Sequence, residues 1–127
     1  MLVVPTELRP SPIHGIGVFL LAPIKKGDIV WRFDSRIDRV FSQGDFESLP
    51  PLQQKYIESY CCWDESARAW LMSGDNMTFC NHSETPCIVY GREFFSDGIA
   101  APDIAAGTEL TTSYFDICDK IKAAGKV

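Results

Sequence analysis

The chain has 127 residues, of which 46% are hydrophobic and 23% charged, so its composition is that of a folded domain and excludes a disordered chain. It has no apolar run of the roughly 18 residues that a membrane span needs, and its first residues lack the basic and apolar segments of a signal peptide. We therefore expect a soluble intracellular protein that does not bind a membrane.

The formal net charge of -5 comes from the second half of the chain. Residues 1–60 contain 7 Lys+Arg and 7 Asp+Glu, whereas residues 61–127 contain 5 Lys+Arg and 10 Asp+Glu. An acidic surface attracts basic partners, although a solvated acidic face is the simpler explanation. No basic patch is visible, so we expect no direct nucleic-acid binding.

The first part of the chain predicts short strands followed by a helix. Apolar runs in "LVVP", "VFLLAPI" and "IVWRF" are separated by the turns "HGIG" and "KKGD", which is typical of small sheets. The segment "FESLPPLQQKYIESYCCW" predicts a helix, because Leu52, Tyr56, Ile57 and Tyr60 recur at helical spacing after Pro51, a residue that suits a first helical turn.

The second part of the chain returns to strands. After the apolar patch "AWLM" and the turn "SGDN", the segments "CIVYG" and "EFFS" predict strands on either side of a Gly-Arg turn. The β-branched run "TELTTSYF" predicts a further strand, and the last residues, "KIKAAGKV", are expected to fray or to form a short helix.

The stretch "FCNHSETPC" raises the question of a metal site or a thiol nucleophile. Cys80, His82, Cys87 and Cys118 could bind zinc, but they lack the C-x(2–4)-C pairs of structural zinc sites, so we expect no metal. Cys80 and His82 would share one face of a strand, but no third catalytic partner is evident. With five cysteines, an odd number, a buried free thiol is the simpler interpretation.

Two further signals are weak when each is taken alone. "HGIGVF" contains a Gly-x-Gly that suits either a turn or the close approach of a ligand, and it lacks the third glycine of a dinucleotide site. Tyr114 ends a β-branched run, where a buried tyrosine is usually structural.

Taken in chain order, "HGIGVF", "KKGDIVWRF", "FCNHSETPC" and "IAAGTELTTSY" resemble the SET domain, a family of S-adenosylmethionine-dependent protein-lysine methyltransferases. The third piece is similar to the family pattern N-H-S-x-x-P-N, and the fourth to G-E-E-L-T-x-x-Y. The resemblance implies a single SET domain over residues 1–127, with the motifs in about 11–115 and a C-terminal tail over 116–127. The implied fold is mostly β, a β-clip of small curved sheets with one or two short helices and a knot-like threaded C-terminal segment.

The resemblance also assigns functional residues at the matching positions. The positions implied to bind S-adenosyl-L-methionine are Gly15, Ile16, Gly17, Asn81 and His82. The positions implied to line the channel for the substrate lysine are Phe33, Tyr90 and Tyr114, and Tyr114 matches the catalytic tyrosine.

Three positions depart from the family pattern. Cys87 replaces the last Asn of the central motif, Thr78 replaces a frequent Arg, and Glu84 stands where many members have the first Cys of a zinc module. We therefore expect this zinc module to be absent. Either residues 115–127 or the second copy of the chain in a homodimer would then cover the channel.

The function implied is transfer of a methyl group from S-adenosyl-L-methionine to the lysine ε-amine of a basic protein or peptide, histone-like or other. The acidic second half would attract such a substrate. One alternative is a catalytically silent SET-like module that binds only peptide or cofactor. The changes at Cys87 and Thr78 leave it open, whereas the retained Asn81, His82 and Tyr114 argue against it. Another is a small-molecule-binding β-clip or a thiol hydrolase, which would depend on Cys80.

Overall fold

The computed structural model describes residues 1–93 and 95–118, apart from the side chain of Phe115. The strands in this part are β1 Thr6–Pro10, β2 Ile16–Leu20, β3 Ile29–Trp31, β4 Arg39–Ser42, β5 Cys62–Asp64, β6 Ala69–Met72, β7 Asn81–His82, β8 Ile88–Tyr90, β9 Gly98–Ala100 and β10 Glu109–Thr112. The helices are α1 Gln43–Ser48, α2 Pro51–Tyr60, a 3-10 turn at Asn76–Phe79 and the single turn α3 Tyr114–Ile117.

The strands form three small sheets, so the mostly β fold expected from the sequence is confirmed. The first sheet has the order β1-β2-β10-β7, with β7 parallel to β10 and the other pairs antiparallel. The second, β3-β9-β8, and the third, β4-β6-β5, are antiparallel. In the first sheet, β2 runs opposite to β7 and β10. The start of β2 and the carboxyl ends of β7 and β10 therefore lie at the same end of the sheet.

The helices begin where the sequence supplies the required groups. Ser42 and Asp45 form a reciprocal capping box at the start of α1, and Pro51 occupies the first turn of α2, where its missing N–H costs no hydrogen bond. The predicted helical segment is therefore confirmed, although it is split into α1 and α2 before Pro51. In α2, only Ile57 is buried.

The core consists of two apolar clusters. The first packs β2, β3, β9 and β10 around the fully buried Val18, Leu20, Val30 and Leu110. The second joins the helices to the third sheet, and its members are Phe46, Ile57, Cys61, Trp63, Trp70 and Cys118. The site described below lies between elements of both clusters.

The loop that leads into the 3-10 turn is fixed by buried polar contacts. Asp38, only 1% exposed, accepts hydrogen bonds from the Met1 ammonium group at 2.6 Å and from the Gly74 N–H at 3.2 Å. A side chain at Gly74 would collide with the Ile37 carbonyl, so this position requires glycine. The Asp75 carboxylate accepts the Leu2 N–H at 2.7 Å and thereby ties the same loop to the N-terminal segment.

Some local predictions differ from the structure. The strand predicted for "EFFS" is wrong for its described residues, because the Ser96 N–H donates to the Glu93 carbonyl at 3.0 Å and Phe95 has a φ of 70°. The strand predicted for "LVVP" is wrong, because this segment forms only a bridge between Leu2 and Trp31. The strands β1, β4, β5, β6, β7 and β9 were not predicted. The threaded C-terminal segment stays a prediction, and residues 119–127 of the predicted tail lie outside the described residues. Within the described ranges, no helix combines the length and the apolar character needed to cross a membrane.

Candidate active site

A cleft of about 840 Å³ lies between the first sheet, the end of α2 and α3. It brings together six of the predicted site residues, which are Gly15, Ile16, Asn81, His82, Tyr90 and Tyr114. These residues come from distant parts of the chain. The start of β2, the end of β7 and the end of β10 are neighbours in the first sheet, which brings together Gly15 and Ile16, Asn81 and His82, and Tyr114. Gly17 and Phe33, the other two predicted positions, are not part of the cleft wall as the structure describes it.

The glycine-rich loop closes on itself before β2 begins. The Ser11 N–H donates to the Gly15 carbonyl at 2.8 Å, and the Ser11 hydroxyl accepts the Ile13 N–H at 3.0 Å. Gly15 has a φ of 46°, a left-handed conformation that glycine adopts without a steric penalty, and a Cβ there would meet no atom within 4 Å. The loop therefore presents open backbone to the cleft at Gly15.

The side chain of Asn81 is turned toward this loop. Its amide nitrogen donates to the His14 carbonyl at 3.0 Å, to the Ile16 carbonyl at 3.2 Å and to the Glu109 carboxylate at 2.9 Å. Since all of these partners are acceptors, they fix which end of the amide faces the loop. Asn81 is 6% exposed, so its first role is to hold the loop on the first sheet.

His82 connects the central motif to α3. Its Nδ1 accepts the backbone N–H of Tyr114 at 3.0 Å, and the two rings lie 5.4 Å apart. A nitrogen that accepts a hydrogen bond carries no proton, so in the neutral ring the proton is on Nε2. His82 thus fixes the backbone at Tyr114, two residues after the end of β10.

The hydroxyl of Tyr114 is held on the backbone of the central motif. It donates to the Cys80 carbonyl at 2.6 Å. Burial raises the pKa of Tyr114 to about 12, so the phenol stays protonated at neutral pH. A protonated hydroxyl that already donates its hydrogen can still accept hydrogen bonds through its oxygen, but it cannot act as a general base.

Tyr90 is, besides Tyr114, a second tyrosine that lines the cleft. Burial holds the pKa of Tyr90 well above its ordinary value, so this wall is uncharged. The ring of Trp31 meets it edge-to-face at 6.3 Å. Gly98, on the neighbouring strand β9, makes room for Tyr90, because a Cβ at Gly98 would lie 2.7 Å from Cε1 of the tyrosine. Neither Trp31 nor Gly98 was predicted as a site residue.

Phe33 lies behind the cleft rather than on its wall. Its ring packs on Phe95 with centroids 4.1 Å apart, and Phe95 does line the cleft. Phe33 therefore contacts the site through Phe95.

The positions that depart from the family pattern lie in different environments. Cys87 does not line the cleft, and its thiol accepts the Thr111 N–H at 3.2 Å, so it packs on β10. Thr78 lines the cleft, and its hydroxyl donates to the Ser73 carbonyl at 2.7 Å. The change at Thr78 therefore alters the site directly, whereas the change at Cys87 does not.

The thiols at the site are structural in character. Burial raises the pKa of Cys80 and Cys61 to about 12, so neither is a ready thiolate nucleophile at neutral pH. This weighs against a thiol hydrolase. In residues 1–93 and 95–118, no three His, Cys, Asp or Glu side chains come together as metal ligands.

Charged groups surround the Tyr90 end of the cleft. A smaller pocket of about 470 Å³ adjoins it there and is lined by Asp64, Arg92 and Asp116 among others. Glu93 lines the main cleft nearby. Three carboxylates and one guanidinium give this end a negative balance, which favours a basic ligand.

Comparison with known proteins places these motifs in a family. The family model of the SET domain matches residues 15–115, which is most of the chain. No curated protein gives a significant match.

Solved structures share the fold at low sequence identity. A Plasmodium falciparum protein named as a candidate histone methyltransferase is 21% identical with a TM-score of 0.61, covering 86% of this chain and 91% of its own. An active polycomb repressive complex 2 in the basal state gives 20% identity and a TM-score of 0.68, covering 89% of this chain and 15% of its own. A humanized mutant of the Chaetomium thermophilum polycomb repressive complex 2, bound to the inhibitor GSK126, gives 18% identity and a TM-score of 0.68, covering 94% of this chain and 16% of its own. At these identities the likeness establishes the fold.

Proposed function

The chain belongs to the SET domain family, and from that premise we propose that it is an S-adenosyl-L-methionine-dependent protein-lysine methyltransferase. The observation that carries the proposal is that one cleft joins the glycine-rich loop and Asn81 to the aromatic wall at Tyr90, with Tyr114 on the same cleft. Such a cleft offers a place for a cofactor and a place for a lysine side chain within reach of one another.

The residues present suit the cofactor. The cleft volume of about 840 Å³ falls within the range of small-molecule sites, which is roughly 300–1,000 Å³. Gly15 exposes backbone to the cleft, and because a Cβ there would meet no atom within 4 Å, a ligand can approach the loop closely at this position. When bound, S-adenosyl-L-methionine supplies an activated methyl group on its sulfonium.

The site must hold the substrate lysine as a neutral amine. A free lysine has a pKa of about 10.4, so removing its proton near pH 7 costs about 4–5 kcal/mol. A desolvating channel lowers that pKa, because burial disfavours the ammonium form. Tyr90 and Trp31 supply uncharged walls of this kind, and bulk water takes the proton.

We assign Tyr114 a positioning and electrostatic role in the transfer. Its hydroxyl is anchored on the Cys80 carbonyl at 2.6 Å, and its oxygen is the group that would orient the amine. Because the raised pKa keeps the phenol protonated, Tyr114 does not remove the proton from lysine. Alignment of the two reactants then provides most of the rate enhancement.

The substrate we propose is a basic protein or peptide, histone-like or other. The chain carries a net charge of -5, and the carboxylates of Asp64, Glu93 and Asp116 lie at the Tyr90 end of the cleft, where a peptide would enter. A second copy of the chain in a homodimer, or residues 115–127, of which 119–127 lie outside the described residues, would cover this end.

Methyl transfer tests the proposal directly. The protein is incubated with radiolabelled S-adenosyl-L-methionine and a mixture of basic proteins, and Tyr114→Phe is the control variant. We expect labelled lysine with the wild type and little with the variant. Cofactor binding without any transfer would instead support a silent SET-like module, and equal transfer by Tyr114→Phe would contradict the assigned role of Tyr114.

A further inference from the structure

Glu109 lies beneath the glycine-rich loop, although it is not part of the cleft wall. Its carboxylate accepts the Ser11 hydroxyl at 2.8 Å and the Asn81 amide at 2.9 Å. Ser11 in turn accepts loop N–H groups, and Asn81 donates to two loop carbonyls. One carboxylate therefore joins both side chains that shape the loop.

The space at Gly17 is occupied by the same carboxylate. A Cβ at Gly17 would clash with Oε2 of Glu109 and lie 2.7 Å from its Cδ and 3.0 Å from Cβ of Ser11. Gly17 does not line the cleft, and it is not among the glycines with positive φ. The glycine at this position therefore leaves room for Glu109, whereas the glycine at Gly15 opens the loop to the cleft.

We propose that Glu109 is a positioning residue for cofactor binding, and that Gly17 acts in the site by leaving room for Glu109 and for Ser11, the serine that it holds. This rests on the proposed function, because it takes S-adenosyl-L-methionine as the ligand of the loop. Glu109 fixes Ser11 and Asn81, these fix the loop backbone, and the loop binds the cofactor in a conformation that is already formed. Preorganisation of this kind raises affinity by reducing the ordering that binding must impose.

The contribution of Glu109 is expected to be large because its hydrogen bonds are charge-assisted. Hydrogen bonds to a charged group contribute more than neutral ones, so loss of the carboxylate should weaken cofactor binding by roughly tenfold or more. At saturating cofactor, the transfer rate should recover, because Glu109 touches neither the cofactor nor the substrate lysine.

The test is calorimetric titration of S-adenosyl-L-methionine into the full chain, which needs neither substrate nor turnover. The variants are Glu109→Ala, Gly17→Ala and the double variant, with thermal unfolding measured for each. Both single variants should bind the cofactor at least tenfold more weakly than the wild type. The double variant should be only slightly weaker than Glu109→Ala alone, because the added methyl then no longer meets the carboxylate and its remaining close contact is Cβ of Ser11, 3.0 Å away. Glu109→Gln, which keeps the shape and one acceptor oxygen, should be intermediate and serves if Glu109→Ala does not fold.

The outcomes separate this proposal from the proposed function. Unchanged cofactor affinity in Glu109→Ala or Glu109→Gln would overturn the positioning role, and so would additive losses in the double variant, which would mean that Gly17 acts independently of Glu109. Failure of the wild type to bind S-adenosyl-L-methionine would contradict the proposed function, and the positioning role with it.

Discussion

Substitution of Gly98 by alanine should damage the lysine end of the cleft specifically. Gly98 lies in the central strand of its sheet, opposite Trp31 on one side and Tyr90 on the other. A Cβ there would be 2.7 Å from Cε1 and 3.0 Å from Cζ of Tyr90. Since β9 is hydrogen-bonded on both sides, the tyrosine ring must move rather than the strand.

The size of the effect follows from these distances. Carbon atoms pack at about 3.5–4.0 Å, so the Tyr90 ring has to shift by roughly 1 Å. A misplacement of about 1 Å in a catalytic site can cost on the order of 100-fold in rate. Overpacking of a core position costs about 1–3 kcal/mol of stability, which a folded domain can tolerate.

Steady-state kinetics separates the two ends of the cleft. Gly98→Ala should raise the KM for a peptide substrate and lower kcat, while the KM for the cofactor stays near that of the wild type. Gly44→Ala is the matched control, because the same methyl group would have only the Ser42 hydroxyl 3.8 Å away, in helix α1. Normal peptide kinetics in a folded Gly98→Ala variant would refute the placement of Tyr90 in the substrate channel.

Three further predictions follow from the site. His82→Ala should reduce methyl transfer and destabilise the fold by about 1–3 kcal/mol, because the Tyr114 N–H loses its acceptor. His82→Asn, whose Oδ1 replaces Nδ1, should recover part of both losses in kinetic and unfolding assays. Defects in His82→Asn as large as those in His82→Ala would refute this role. The free energy of unfolding should fall as the pH rises from about 9 toward 12. The reason is that the thiols of Cys61 and Cys80 ionise in the unfolded chain, whereas burial holds their pKa at about 12 in the folded protein. Urea titrations whose midpoint does not change with pH in this range would contradict this prediction. Cys80→Ala should lower stability by about 1 kcal/mol and leave methyl transfer largely intact, whereas loss of all activity in a folded variant would favour a thiol mechanism.

The sequence predicted the elements whose pattern is local. Helix α2 follows from its spacing and from Pro51, and the apolar run at Ile88–Tyr90 became a strand as expected. Strand β1, Thr6–Pro10, escaped prediction because it is an edge strand with charged residues and a proline, so it shows no alternation of apolar and polar side chains. The turn at Phe95 was not predicted, because an aromatic run such as "EFFS" gives no sign of a positive φ.

The site could be predicted only as far as motif order reaches. The motif order gave Asn81, His82 and Tyr114, which the structure places on one cleft with Tyr90. Sequence alone did not give the partners, because the contacts join residues far apart in the chain. Ser11 and Glu109, for example, are separated by 98 positions. The need for glycine at Gly98 is likewise visible only once Tyr90 is seen to pack against it.

Cys87 shows how a motif can mislead about a site. Its replacement of the family asparagine suggested an altered pocket, but the thiol packs on the backbone of Thr111 and is not part of the cleft wall. The position is part of the sheet that supports the site. Thr78, by contrast, does line the cleft.

The proposed function depends most directly on whether Tyr114 aligns a lysine for methyl transfer. The decisive measurement is mass-spectrometric mapping of a basic protein after incubation with S-adenosyl-L-methionine and either the wild type or Tyr114→Phe, with cofactor affinity measured for both. We predict methylated lysine with the wild type and a large loss of transfer with Tyr114→Phe at nearly unchanged cofactor affinity. A wild type that binds the cofactor and modifies no lysine, or a Tyr114→Phe variant as active as the wild type, would contradict it.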